Sequence, residues 1–210
     1  MSVIDSNIAE PDYDDILRMG RADTFDDAYK NLLAQIKEKN MEFVYNQIEL
    51  PLSPVLRRME ERGVLVDTDF LKKLSREYKT ELDLICARIY SLAGGEFNIG
   101  SPKQLGEVLF DKLGLVAKKK TAGGQRSTKE SELQKLAGTH PIIEDILAYR
   151  ELSKLLSTYI DSIPTLVDDE SRLHTRYVQI GAATGRMASK DPNLQNIPIK
   201  TELGRRIRHA

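Results

Sequence analysis

Apolar residues recur every three or four positions over two long stretches of the chain, which is the spacing of an α-helix with one buried face. The first stretch contains Leu71, Leu74, Tyr78, Leu82, Ile85, Ile89 and Leu92, and the second contains Ile142, Ile146, Tyr149, Leu152, Leu156, Tyr159 and Ile163. Asp67 or Thr68 can cap the first helix, Gly94 and Gly95 can end it, and Pro141 opens the second. Two long helices with narrow apolar faces predict an antiparallel pair.

Two serine-led segments between the long stretches predict short helices at the far end of this pair. Ser101-Pro102-Lys103-Gln104 and Ser127-Thr128-Lys129-Glu130 each place a serine three residues before Gln or Glu. This is the spacing of a capping box, in which the two side chains satisfy each other's backbone N–H groups. The apolar segments that follow, QLGEVLFDKL and LQKLAG, are short.

The segments on either side of the pair predict different structures. Residues 42–66 have apolar positions at roughly helical spacing, interrupted by Pro51 and Pro54 and ended by Gly63, and predict a connecting helix. Residues 171–180, SRLHTRYVQI, alternate like a strand or a hairpin arm. His174 lies there without a nearby Cys, Asp or second His, so it is interpreted as structural rather than as a metal ligand. The pattern predicts a mainly α chain that passes from helices to sheet near residue 172.

Composition indicates an ordinary globular protein. The 210 residues are 40% hydrophobic and 30% charged, and no apolar run approaches 18 residues. The first ten residues lack the basic and then apolar pattern of a secretory signal. The single cysteine, Cys86, cannot form an internal disulfide. These features predict a soluble, cytoplasmic protein in a reducing compartment, without a membrane partner.

Charge is distributed unevenly along the chain. Lys and Arg number 8 against 15 Asp and Glu in residues 1–70, 15 against 15 in residues 71–170, and 8 against 2 in residues 171–210. The three segments therefore carry charges of -7, 0 and +6. A basic segment of this kind favours contact with a polyanion, because Lys and Arg displace counterions from phosphate backbones. A solvated basic tail is the alternative.

Two other groups of residues are suited to phosphate. The segment AKKKTAGGQR combines three lysines with two glycines, so its backbone could approach a phosphate closely, although a solvated loop is equally compatible. Arg150, Lys154, Ser157 and Thr158 are spaced by four, three and four, which predicts one helix face opposite the apolar one. Two cations and two hydroxyls suit phosphate oxygens, and an ordinary exposed surface is the alternative.

Motifs for a catalytic site are absent from the sequence. It contains no P-loop, GxGxxG, HExxH or nucleophile elbow. The acidic stretch PDYDDILRMGRADTFDD lacks regular ligand spacing and is interpreted as a solvated surface. Only Asp191 and Glu202 are acidic after residue 170, whereas phosphoryl-transfer sites normally hold two metal ions with acidic residues.

Four segments occur in a recognisable order: FNIGSPKQLGEVLFDKLGL, KKKTAGGQRST, HPIIEDILAYRELSKLLSTYID and RLHTRYVQIGAATGRMASKDPNLQNIPIKTELGRRIRHA. In order and spacing they resemble the thumb and the beginning of the palm of family A DNA polymerases, the bacterial DNA polymerase I type. The resemblance runs from about residue 42 to residue 210. It implies the end of a 3′–5′ exonuclease-like domain in residues 1–41, a connecting helix in 42–66, a helical thumb in 67–170 and the start of an α+β palm in 171–210.

The resemblance also implies which side chains contact DNA. The thumb tip would meet backbone phosphates through Asn98, Ser101, Lys103, Lys120, Thr121, Ser127 and Thr128. Arg150 and Lys154 match the arginine and lysine of R-x-L-x-K-L-x-S-T-Y, which contact the duplex backbone. Arg186 matches the TGR arginine that reaches the minor groove at the primer terminus, and Asn193, Gln195 and Asn196 match the NLQN that lies along the duplex.

The chain departs from the family at two places. Met187 and Ala188 replace the Leu and Ser of TGRLSS, which removes one hydroxyl and weakens contact there at most. In the family, the catalytic carboxylates come after GRRIR, so the resemblance implies no catalytic or metal-binding residue in this chain. We therefore expect the 210-residue chain alone to be inactive, with Mg²⁺ belonging to the complete polymerase.

Primer-template duplex DNA is the implied partner, with a separate polymerase half as a further possible one. A partial sequence, half of a split polymerase and a decayed remnant all stay open as origins of the chain. A helical protein-interaction module is the alternative function. Strands in residues 171–210 are expected to lack neighbours within the chain, which would leave this segment disordered or prone to association.

Overall fold

The chain is mainly α-helical, as the sequence predicts, with few short strands. The computed structural model describes residues 4–5, 10–116, 126–180 and 184–210. They fall into two compact units, Met1–Val66 with Leu166–Pro198 and Asp67–Thr165 with Ile199–Ala210. These units reflect compactness within this chain, so the domain boundaries taken from the resemblance stay predictions.

The first unit begins with two packed helices, α1 (Tyr13–Gly20) and α2 (Phe25–Glu38). Asp12 caps α1 by accepting a hydrogen bond from the Asp15 backbone N–H at 2.7 Å, and Thr24 caps α2. Gly20 permits their close approach, because a Cβ at this position would lie 2.5 Å from the Ala28 Cα. One acidic residue of this segment, Asp12, therefore caps a helix.

The connecting helix forms but is not interrupted by its prolines. A π-helical segment, Val44–Glu49, leads directly into α3 (Leu50–Arg62). Pro51 lies in the first turn of α3, and Pro54 lies inside the helix. Gly63, with φ of 64°, ends α3 as predicted.

The predicted strand at residues 171–180 is two short strands with different partners. Strand β1 (Val64–Leu65) pairs antiparallel with β2 (Arg172–Leu173). Strand β3 (Arg176–Val178) pairs antiparallel with β4 (Ala188–Lys190). The expectation of unpaired strands in residues 171–210 is therefore wrong, because each described strand there finds a neighbour within the chain.

His174 lies at the break between β2 and β3 and is hydrogen-bonded on both sides of its ring. Nδ1 is 2.7 Å from the Glu60 carbonyl oxygen, and Nε2 is 2.9 Å from Asp168 Oδ2. The premise that His174 has no nearby Asp is wrong, since Asp168 precedes it by six residues. Its structural role is nevertheless the one predicted, because it ties the segment before β3 to the end of α3.

The second unit contains the two long helices and the short ones between them. Helix α4 spans Thr68–Ala93, capped by Asp67, whose carboxylate accepts from the Phe70 N–H at 2.8 Å. Helix α5 (Pro102–Gly106) continues as the π-helix Glu107–Lys112, and α6 (Glu130–Leu133) continues as a 3₁₀ turn, Gln134–Leu136. Helix α7 (Pro141–Leu155) continues as the π-helix Leu156–Ile160, before a 3₁₀ turn at Ile163–Thr165 and α8 (Glu202–Ile207).

Helices α4 and α7 pack together in antiparallel orientation. Arg88, late in α4, lies 2.7 Å from Asp145 early in α7, whereas Ser75, early in α4, donates to Asp161 beyond the end of α7 at 2.7 Å. The buried face of α7 is broader than the narrow one predicted, because Ile143, Leu155 and Ile160 are buried as well. The π-helical turn at Leu156–Ile160 shifts the spacing of side chains at the end of the helix. It brings two pairs of consecutive residues into the core, Leu155 with Leu156 and Tyr159 with Ile160.

Neither serine-led segment forms the full capping box that its spacing predicts. Ser101 does cap α5, but Gln104 Oε1 accepts from the Asn98 N–H at 2.7 Å and does not return to Ser101. In the second segment the N-cap is Lys129, without a side-chain cap. The Ser127 hydroxyl accepts from the Lys129 N–H at 3.4 Å. This hydrogen bond forms a local turn and occupies the hydroxyl that would otherwise have capped the helix.

Helix α8 docks on α4 through polar contacts. The Tyr78 hydroxyl donates to the Leu203 carbonyl oxygen at 2.8 Å. Arg206 pairs with Glu77 at 2.5 Å and lies 5.4 Å from the centre of the Tyr78 ring. These contacts hold the last helix of the described chain against the first turns of α4.

The His174 contacts predict a pH-dependent stability. Both ring nitrogens face oxygen acceptors, so both must donate, and this favours the imidazolium form. The hydrogen bond to Asp168, and then the one to Glu60, raises the pKa of His174, while His174 lowers the pKa of Asp168. The His174 contribution is therefore fully present below its unfolded pKa of about 6.5 and is lost as pH rises through the higher folded pKa.

Urea unfolding of the wild-type chain and of His174→Gln tests this linkage. The midpoint difference between the two proteins should be larger at about pH 5.5, where Asp168 is ionised and His174 is charged, than at about pH 8.5. Gln cannot be protonated, and Asp168 is ionised at both pH values, so the titration of His174 is the main difference between the two proteins. A midpoint difference that stays constant over this range would show that folding does not raise the pKa of His174.

Candidate nucleic-acid interface

The start of α5 carries the first of the predicted contacts. Lys103 and Asn98 are exposed, and Ser101 is partly exposed. Two of these side chains are already used locally, since Asn98 Oδ1 accepts from the Gly100 N–H at 2.9 Å and Ser101 caps Gln104. Lys103 makes no hydrogen bond or ion pair with a described residue, so its ammonium group is available to a phosphate.

The other thumb-tip predictions divide into two groups. Lys120 and Thr121 lie outside the residues that the structure describes. Ser127 and Thr128 are each only 6% exposed. Both hydroxyls are thus nearly buried in this chain, and their contact with a phosphate stays a prediction.

Arg126 shows that the basic segment before α6 is partly used for folding. Its guanidinium pairs with both carboxylate oxygens of Asp111, at 2.5 and 2.6 Å, and lies 5.1 Å from the centre of the Phe110 ring. A bidentate pair of this kind occupies the face that would otherwise bind a phosphate. Arg126 therefore anchors the chain at the edge of the described tip.

Arg150 and Lys154 share a helix but not an environment. Arg150 is half-buried, and its guanidinium donates to the Thr128 carbonyl oxygen. Burial lowers the pKa of Arg150, opposed by the nearby Glu130 carboxylate. Lys154, Ser157 and Thr158 are exposed. Three of the four residues predicted to share an exposed helix face are therefore exposed. The fourth, Arg150, is directed toward the segment before α6.

In the first unit, Arg186 lies on an exposed loop that leads into β4. Gly185 before it has φ of 73°, a conformation that favours glycine. Arg186 forms no hydrogen bond or ion pair with any residue the structure describes. Its five N–H donors are therefore available to acceptors outside the described chain.

The polar run after β4 is used partly to build its own turn. Asn193 Oδ1 accepts from the backbone N–H groups of Gln195 and Asn196, at 3.0 and 3.3 Å, and so caps a 3₁₀ turn at Leu194–Asn196. Gln195 Nε2 donates to the Met187 carbonyl oxygen at 3.0 Å. The side chains of Asn193, Gln195 and Asn196 are all exposed.

Ion pairing reduces the charge that the basic segment presents. Arg176 and Lys190 both pair with Glu10, and together, Lys190 foremost, they hold the pKa of Glu10 below its ordinary value. Arg205 pairs with Glu202 at 2.7 Å. Sequence reasoning missed these partners because charge counts do not show which cations are neutralised. The excess of +6 therefore overstates the free positive charge, and Arg186 and Lys200 are exposed cations of this segment that pair with no residue the structure describes.

Two buried hydroxyls near this loop were also missed by the sequence reasoning. Thr175 is 4% exposed and Ser189 is 3% exposed. Thr175 follows the buried Leu173 by two residues, so strand alternation places it on the inward side. The two-residue alternation of a strand could therefore have predicted from the sequence that the Thr175 hydroxyl faces inward.

The described part of the chain contains neither a metal-binding cluster nor a membrane-spanning helix. No group of three or more His, Cys, Asp or Glu side chains there could hold a metal ion. The described residues therefore offer no such cluster to Mg²⁺. Among the same residues, no helix has the length and apolarity needed to span a bilayer.

Comparison with known proteins gives a consistent result. A family model described as DNA polymerase family A matches residues 68–210. The thermostable DNA polymerase I of Thermus filiformis is 50% identical over 184 residues, which cover 87% of this chain and 22% of that protein. DNA polymerase I of Treponema pallidum is 50% identical over 182 residues, which cover 87% of this chain and 18% of that protein.

A solved structure shows the same architecture. The POL domain of Pol1 from M. smegmatis, in complex with DNA primer-template and dNTP, matches with a TM-score of 0.84 and 33% identity, over 99% of this chain and 40% of that one. The chain spans about a fifth of the length of the curated relatives it matches. Because the family model covers well over half of the chain, the chain belongs to DNA polymerase family A.

Proposed function

We propose that this chain holds primer-template duplex DNA as the thumb and the first part of the palm of a DNA-directed DNA polymerase. The observation that carries the proposal is Arg186, exposed on a loop next to a hydrogen-bonded turn and without a partner among the described residues. The similar POL domain from M. smegmatis is a complex with primer-template. Family membership thus indicates what kind of acceptor Arg186 would meet.

The proposed contacts tolerate any DNA sequence. In the minor groove, purine N3 and pyrimidine O2 are acceptors at nearly equivalent positions in all correct base pairs. Donors from Arg186 and from the Asn193 and Asn196 amides can therefore test the shape of a pair without reading its identity. In the second unit, Lys103 and Lys154 would contact phosphates, which carry no sequence information.

The role of the chain differs from that of the complete protein. We propose that the complete polymerase synthesises DNA in replication and repair, and family A polymerases use Mg²⁺. In this chain, the described residues supply positioning groups and no carboxylate cluster for that ion. Because the proposed partner is duplex DNA, we place the chain in the cytoplasm, which the lone Cys86 also favours.

A second candidate is a protein-interaction module or one half of a split polymerase. It is favoured by apolar side chains that stay exposed along residues 43–59, among them Phe43 at 69%, Ile48 at 45% and Met59 at 47%. Such side chains are typical of a surface that another protein covers. Tight capture of a polypeptide partner without any duplex binding at low salt would favour this candidate over DNA binding.

Replacing Arg186 with alanine tests the proposed contact at the primer end. We expect Arg186→Ala to weaken binding to a recessed primer-template by about tenfold or more, as for loss of a hydrogen bond from a charged donor, with a smaller loss on blunt duplex. Fluorescence anisotropy with the two DNAs measures both constants. Arg58→Ala removes one exposed charge from the same unit and should affect the two DNAs equally. An equal loss on both DNAs with Arg186→Ala would exclude the assigned role.

Primer extension tests whether the chain alone has catalytic activity. With Mg²⁺ and all four nucleotides, we expect the 210-residue chain to bind a labelled primer-template but to leave the primer length unchanged. A complete family A polymerase in a parallel reaction confirms that the substrate is competent. Extended product from the purified chain would mean that it contains a metal site which its carboxylates do not suggest.

A further inference from the structure

The Arg186 loop and the turn after β4 are held by a pair of buried hydroxyls. The chain leaves β4 at Lys190, passes through Asp191 and Pro192, and enters the 3₁₀ turn that begins at Leu194. Thr175 and Ser189 lie beneath this turn and are almost completely buried. Buried polar groups are costly unless they are paired, so their partners determine the path of the chain here.

Thr175 links the two sides of the turn. Its hydroxyl oxygen lies 3.1 Å from the Lys190 carbonyl oxygen and 2.8 Å from the Pro192 carbonyl oxygen. A hydroxyl has one proton, so the two carbonyl groups share it as acceptors. Removing the hydroxyl would leave both carbonyl groups without this donor.

Ser189 and Gln195 extend this arrangement back toward Arg186. The Ser189 hydroxyl accepts from the Leu194 backbone N–H at 3.0 Å, which fixes the start of the 3₁₀ turn. From the middle of that turn, Gln195 donates to the Met187 carbonyl oxygen. Met187 is the residue next to Arg186, so the hydrogen bonds connect the buried hydroxyls to the loop that presents the guanidinium.

We propose that Thr175 is a positioning residue for Arg186. Through the turn and Gln195, its hydroxyl restricts the backbone beside Arg186 before DNA binds, which reduces the ordering that binding requires. Gln195 has a part in this, since one of the two N–H groups of its side-chain amide donates to the Met187 carbonyl oxygen. The proposal rests on the proposed function, because it assumes that Arg186 contacts the primer end.

Isosteric substitution separates positioning from simple packing. Thr175→Val keeps the side-chain shape and removes the hydroxyl, whereas Thr175→Ser keeps the hydroxyl. The quantity to measure is selectivity, defined as the affinity for recessed primer-template divided by the affinity for blunt duplex. We expect Thr175→Val to lower selectivity by about two- to tenfold, the range for one hydrogen bond, and Thr175→Ser to preserve it.

Two further variants keep the test decisive. Ser189→Ala removes the hydrogen bond to the Leu194 N–H and should also lower selectivity. It replaces Thr175→Val as the test if the Thr175→Val protein does not fold. Ser75→Ala is the matched control, because it removes a buried hydroxyl bonded to Asp161 in the second unit. It should cost stability without changing selectivity, and a change as large as that of Thr175→Val would overturn the proposal.

A double-mutant cycle with Arg186→Ala gives the deciding result. If Thr175 acts through Arg186, Thr175→Val should cause no further loss of selectivity once Arg186 is alanine. An undiminished loss in that background would overturn the positioning role, as would a Thr175→Val protein that keeps full selectivity. If Arg186→Ala alone leaves selectivity unchanged, the proposed function fails and this inference fails with it.

Discussion

The apolar contact between α4 and α7 determines which side chains the second unit can offer to a partner. Leu71, Leu74 and Ile89 on one helix and Ile142, Ile146 and Leu152 on the other are almost completely buried. Burial of this surface is the main favourable term in forming the pair. Its position leaves Lys154 exposed and turns Arg150 toward the Thr128 carbonyl, so the core determines which cation is a surface group and which is a structural one.

In the first unit the strands are only two or three residues long, and hydrogen bonds of polar side chains determine the path of the chain between them. His174 and Thr175 are consecutive residues at the break between β2 and β3. His174 is bonded to Glu60 and Asp168, whereas Thr175 is bonded to Lys190 and Pro192. Strand alternation sends consecutive side chains in opposite directions, so one short segment secures both the end of α3 and the turn after β4.

Sequence reasoning succeeded where the interacting residues are close together along the chain, and it failed where they are far apart. Helices α4 and α7, the Asp67 cap and the Gly63 stop depend on nearby residues and were predicted from the sequence. Arg150 bonds a carbonyl group 22 residues earlier, and Thr175 bonds groups 15 and 17 residues later, which no local period indicates. The capping box at Ser127 failed for a different reason, because two local hydrogen bonds competed for one hydroxyl and the turn was formed. The individual DNA contacts stay predictions.

We propose that exposed cations of the two units hold DNA through its backbone and minor groove, irrespective of sequence. The most direct test of this proposal is the salt dependence of affinity for two primer-templates of unrelated sequence, measured between about 50 and 200 mM salt. The account predicts straight log–log plots with the same slope, equivalent to several neutralised phosphates, for both DNAs. An affinity that is insensitive to salt, or that differs strongly between the two sequences, would contradict it.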